Sequence, residues 1–148
     1  MAVANAEPLC VLTFDLQGEI FAIEATRVRE ILDPGPVTEV PGAADFVDRL
    51  INVRGRVVPL ADLRLRLGME PRPPTVDSRF VVVEAGDGPD AIAVGVCADK
   101  VYEVTELNAS ALEETPRIGV RWRPEYIRWI GKRGADFIVV LDIDRIFA

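Results

Sequence analysis

Short runs rich in Val, Ile and Phe, several with apolar and polar positions alternating, cover Cys10–Leu16, Glu19–Ile23, Leu50–Val53, Arg56–Leu60, Arg79–Glu84, Ala91–Val96 and Phe137–Ile143. A two-residue period puts successive side chains on opposite faces, so these runs read as short strands. Turn residues separate them at Gln17-Gly18, Arg54-Gly55, Gly86-Asp87-Gly88 and Arg133-Gly134, the spacing of a small barrel or sandwich. Helical stretches are few: Ala43–Val47, Asp62–Leu67 behind an aspartate cap, a turn around Ser110–Glu114, and Asp142–Phe147. Pro71, Pro73 and Pro74 keep Met69–Val76 out of any helix or central strand, which makes the region near 69–77 a connector. Residues 1–8 read as a flexible N-terminus and 9–148 as one all-β domain.

The chain carries an internal repeat. Ile20–Ile31 aligns with Ala93–Val104 at an offset of 73, matching Val28 to Val101 and Glu30 to Glu103. At an offset of 80, Phe46, Leu50, Val58, Leu60, Asp62 and Leu63 match Tyr126, Ile130, Ile138, Val140, Asp142 and Ile143. A module of about 70 residues has a marginal core alone, so the repeat predicts two similar β modules packed together, with the groove between them as a binding site.

Composition narrows the chemistry. The 148 residues carry 24 acidic and 17 basic side chains, a net charge of −7, which opposes binding to nucleic acid or anionic membranes. No apolar run is long enough to span a bilayer, and Met1–Pro8 has no signal-peptide pattern, so the expected location is cytoplasmic. Histidine is absent, which removes the commonest general base and zinc ligand. Cys10 and Cys97 lack metal-ligand spacing and read as small buried hydrophobes. Neither a cofactor nor a metal is expected.

The most distinctive stretch is Leu50–Gly68, a hairpin followed by a helix. Gly55 suits a tight turn, Pro59 implies a strand edge or bulge, and Asp62 is placed to cap the helix. Asn52 and Arg54 have no such reason to be there. Physics alone favours a solvated loop arginine; the sharper alternative is a recognition fork for a partner's carboxylate or carbonyls.

Asn52-Val53-Arg54-Gly55 followed by Val57-Val58-Pro59-Leu60-Ala61-Asp62-Leu63-Arg64 resembles the signature of the CheW family of chemotaxis coupling proteins. Phe14–Leu16, Phe21–Glu24, Val28–Ile31, Glu125–Ile127 and Val139–Ile143 extend the resemblance over roughly residues 9–147. It implies two intertwined SH3-like five-stranded β-barrels with a few short helices. The implied role is a non-catalytic adaptor that joins methyl-accepting chemoreceptor tips to a CheA-type histidine kinase at the inner membrane. Asn52 and Arg54 would then bind the receptor in the inter-barrel groove, and Val28 and Glu30 the kinase. Core packing explains Val28 as well as an interface does, and Glu30 has a bland reading as a solvated strand position. Weak self-association of similar barrels is a further expectation.

Val53 departs from the family's usual leucine, and so does a basic segment with two tryptophans. From Arg117 to Arg133, six cations face Glu125 alone, a net of +5 that leaves −12 for the remainder. A solvated loop is the plainer account. A recognition patch for an acidic partner would use Arg121, Trp122, Arg128 and Trp129. Three other classes compete: an enzyme using Asp62 and Asp142 as paired carboxylates, a small-ligand-binding barrel using the inter-module groove, and, against the net charge, a nucleic-acid-binding barrel.

Overall fold

The computed structural model describes residues 8–42, 47–108, 110, 112–113 and 123–147. Strands β1 (Leu9–Leu16) and β2 (Glu19–Glu24) form a hairpin, and a 3-10 turn over Ala25–Arg27 leads into β3 (Val28–Leu32). Then come β4 (Val37–Glu39), the hairpin β5 (Arg49–Val53) and β6 (Arg56–Ala61), and the one-turn helix α1 (Leu63–Arg66). Beyond the connector lie β7 (Arg79–Ala85), β8 (Ile92–Ala98), β9 (Lys100–Leu107), β10 (Leu112–Glu113), β11 (Ile127–Arg133), β12 (Asp136–Leu141) and helix α2 (Ile143–Ile146). The strands make two six-stranded sheets, ordered β10-β11-β12-β2-β1-β9 and β4-β5-β6-β8-β7-β3. This is an all-β fold of two barrel subdomains, and the short β4 and β10 bring each sheet to six strands.

The sheets do not correspond to the two halves of the chain. β1 and β2 share a sheet with β9–β12, while β3–β8 form the other, so the proline-rich connector joins β6 to β7 within one sheet. The chain crosses between sheets at Ala25–Arg27 and again at Asp99. The repeat is nevertheless obeyed residue by residue. Ala22 pairs with Val140 in parallel where Gly95 pairs with Leu60, displaced by the repeat's two offsets. β1 and β7, outside the sequence repeat, also correspond: Phe14 faces Phe21 and Val101, and Val83 faces Val94 and Val28.

Crossed connectivity buries the inner strands on both faces. Leu12, Phe14, Leu16, Phe21, Ile23, Val81, Val83, Val94 and Val96 pack with Leu63 and Ile143 into a core shared by both subdomains. From the same strands, Val11 and Ala22 face one barrel interior, and Phe80 and Val82 the other. Two-sided burial explains the unbroken apolar run Phe80–Val83. Each large side chain removed from water here contributes about 1.5–3 kcal/mol.

Two polar clasps close the seam. Arg27 donates to the Gly86 carbonyl at 2.8 Å and meets Asp144 Oδ2 of α2 at 2.6 Å, while Asp144 Oδ1 accepts from the Gly86 amide at 2.8 Å. At the other crossover, Asp99 Oδ2 accepts from the Gln17 amide at 2.7 Å, and buried Arg64 binds Asp62 and the Arg72 carbonyl.

Several expectations need correction. Pro59 lies in β6, between β5 and β8, not at a sheet edge; its missing N–H is tolerated because pairing to β8 begins at Leu60. Cys10 is exposed, and Cys97 is half-buried against the β3–β8 barrel core. Strand β10 occupies part of the Ser110–Glu114 turn. The proposed helix Ala43–Val47 falls on residues 43–46, outside the described residues, as does nearly all of the N-terminal segment 1–8.

Candidate functional site

Gly55 and Arg54 form the two-residue tip of the β5–β6 hairpin, with φ of +81° and +53°. Positive φ at both central positions is the type I′ arrangement that matches strand twist. Asn52 holds the turn by accepting the Gly55 amide on Oδ1 at 2.8 Å, so it has a structural task that the sequence did not reveal. An arginine in the left-handed region costs roughly 1–2 kcal/mol relative to glycine. The corresponding residue of the β11–β12 hairpin is Gly134, at φ +63°. Gln17 shares Arg54's conformation, but its amide is anchored by Asp99 and its side chain by the Glu70 carbonyl. Arg54 has an 82% exposed side chain, which meets Glu30 Oε1 at 3.4 Å. An exposed pair of this kind is worth at most about 1 kcal/mol, so it does not account for the strained arginine.

Glu30 reaches Arg54 because β3 carries a bulge. Val28 pairs with Val83 and Glu30 with Val82, so Arg29 is the extra residue, and its guanidinium turns to Glu84 at 3.4 Å. A bulge bends a strand and re-aims the next side chain. Val28 itself is half-buried against the shared core. The structure therefore joins Asn52, Arg54 and Glu30 at one place and turns Val28 inward.

Beside the Arg54–Glu30 pair lies an open cleft of about 510 Å³, floored by Val53, Val58, Pro59 and Val82. Its apolar rim includes Val57, 72% exposed, and Ile92, 53% exposed. All lining residues come from β3–β8 and its turns, so this cleft belongs to one subdomain and not to the groove between modules. Sequence reasoning missed Val57, Ile92 and Arg29; an outward β-branched residue next to the turn was the available signal for Val57.

The remaining candidates are accounted for differently. Asp62 accepts the Arg64 amide at 3.0 Å and Asp142 the Arg145 amide at 3.2 Å, so each caps a one-turn helix. Burial pushes the Cys97 thiol up, against the opposing pull of the Arg64 guanidinium. Trp129 is half-buried against the β1–β2–β12 barrel core, and Arg128 lies 3.8 Å from Glu24. Arg121 and Trp122 lie outside the described residues. Among the described residues no group of three or more ligand-type side chains could hold a metal, and no helix is long and apolar enough to cross a membrane.

The chain is thus a protein of two interlocked β-barrels, with a strained, charged hairpin tip beside an open cleft of mixed apolar and charged lining. The chain belongs to the CheW-like domain family, whose model matches residues 10–148. It is 28% identical over 137 residues to the chemotaxis protein CheW of Klebsiella aerogenes, covering 93% of this chain and 80% of that one. It is 31% identical over 106 residues to the chemotaxis protein CheW of Bacillus subtilis, covering 72% and 65%. Its fold is similar to that of the scaffolding protein TtCheW from Thermoanaerobacter tengcongensis, with a TM-score of 0.85 and 24% identity over 98% of this chain and 91% of that one.

Proposed function

We propose that this chain is a non-catalytic cytoplasmic adaptor that couples the tips of methyl-accepting chemoreceptors to a CheA-type histidine kinase. Arg54 carries the reading. A left-handed conformation that favours glycine is spent on an exposed arginine, and strain of that kind concentrates at recognition sites. Arg54 orients a partner through charge-assisted hydrogen bonds, while Val57, Ile92 and the cleft floor supply apolar contact. Asn52 supports the tip. Glu30, assigned to the kinase, sits within an ion pair of Arg54, assigned to the receptor, so the two contacts are adjacent and electrostatically coupled.

The test is co-sedimentation of receptor-containing membranes, CheA and this chain, with Arg54→Glu and Glu30→Arg compared against wild type after folding is checked by circular dichroism. Charge reversal at Arg54 is expected to weaken receptor association about tenfold or more, equivalent to about 1.4 kcal/mol. If both variants and wild type fail to associate with either partner, the adaptor reading is lost. The cleft of about 510 Å³ supports a second reading, a small-ligand site, and a metabolite retained in native mass spectrometry would favour it.

A further inference from the structure

A second cleft, of about 390 Å³, lies across the seam of the subdomains and shares no residue with the Arg54 site. Leu65, Arg66, Leu67 and Gly68, from α1 and the turn after it, form one part; Arg123 and Tyr126, leading into β11, form the other. The first part follows β6 of one sheet and the second precedes β11 of the other, so the cleft forms where the two barrels meet.

Its cations are arranged, not scattered. The Arg66 guanidinium stands 5.7 Å from the centroid of the Tyr126 ring and donates to the phenol oxygen at 3.3 Å. Tyr126 is itself buried in the shared core, so it is a rigid platform for that guanidinium. Arg123, 70% exposed, adds a second guanidinium and lies 3.8 Å from Glu125. Leu65 offers an exposed aliphatic surface beside them. A platform-held guanidinium loses less side-chain freedom when it binds, which favours oxyanion recognition.

The geometry points to this seam cleft as a docking site for an acidic peptide segment of a protein partner, in which a carboxylate binds Arg66 and Arg123 and an adjacent aliphatic residue packs on Leu65. Charge decides between anions: Glu125 beside Arg123 penalises a dianion more than a monoanion, so a carboxylate is favoured over a phosphate. The reading extends the basic character of the 117–133 segment to a residue outside it, Arg66.

The test is NMR titration of the full chain with the peptide acetyl-Leu-Glu-Leu-Glu-amide, observing the Arg66 side-chain and Tyr126 resonances. Saturable shifts at both residues are expected, weakened about tenfold by Arg123→Glu, weakened by added salt, and unchanged by Arg54→Glu. Arg123 is exposed, so its variant folds whatever Arg66 contributes to the seam. Absence of shifts at Arg66 and Tyr126, equal binding by Arg123→Glu, or tighter binding of inorganic phosphate than of the peptide would each overturn the proposal.

Discussion

Arg54 and Asn52 stand two residues apart and carry opposite kinds of cost. Asn52 stabilises the turn through its bond to the Gly55 amide; Arg54 strains the turn by holding φ +53°. Stability measurements separate the two roles. Asn52→Ala is expected to lower the unfolding free energy by about 1 kcal/mol, whereas Arg54→Gly is expected to raise it by about 1 kcal/mol. Urea denaturation of both variants checks this, and destabilisation by Arg54→Gly would show that the arginine is a structural residue. The sequence singled out both residues because a hairpin requires neither type on its face. It could not divide them, because whether an asparagine caps its own turn depends on backbone angles that a residue string does not carry.

At the scale of elements, legibility came from two-sided burial in the inner strands and from inward–outward alternation in the β5–β6 hairpin. β1, β7, β8 and β12 were evident because their faces enter two cores and leave long apolar runs. The outer strand β9 was not read as a strand, and β3 was read only through Glu30 as a strand position. Each lies at a sheet edge, carries a bulge, and mixes charged with apolar residues, as in Lys100–Leu107. Such bulged edges also oppose uncontrolled strand pairing. Inside the barrels, close packing sets residue size strand by strand. A methyl group at Gly95 would lie 3.1 Å from Ile51 Cδ1 and 3.3 Å from Leu60 Cδ1, while its repeat mate Ala22 faces a barrel in which Gly131 stands where Ile51 does. Gly95→Ala is therefore expected to cost about 1 kcal/mol through overpacking. Combining it with Ile51→Val, which removes the nearer contact atom, should cost less than the sum of the single changes. A double-mutant cycle of thermal unfolding measures that coupling, and strict additivity would show that Ile51 is not what limits the space.

For the whole molecule, the internal repeat was visible but its meaning was not, since sequence similarity between halves does not say which strands pair. The repeat begins in one sheet and ends in the other, so each half of the chain supplies strands to both barrels. Cutting at the connector near residues 69–77 tests this sharply. Residues 1–70 would contain β1 and β2 without their neighbours β9 and β12, and β3 and β6 without β7 and β8. The shared core would be divided, with Phe14 and Phe21 on one fragment and Val81, Val83, Val94 and Val96 on the other. Both clasps would also be severed, because Arg27 is separated from Asp144 and Gln17 from Asp99. Neither fragment retains a closed core, and fragments of this size have little surplus stability with which to tolerate the loss. Residues 1–70 and 77–148, prepared separately, are expected to show the poorly dispersed NMR spectra of unfolded chains, and mixing them should restore the dispersion of the intact domain. A well-dispersed spectrum from either fragment alone would mean that a half-chain is a folding unit, and the crossed connectivity would then be wrong. Restoration on mixing would instead establish that the barrels are interlocked by strand exchange within one chain, which holds the Arg54 cleft and the seam cleft in fixed relation.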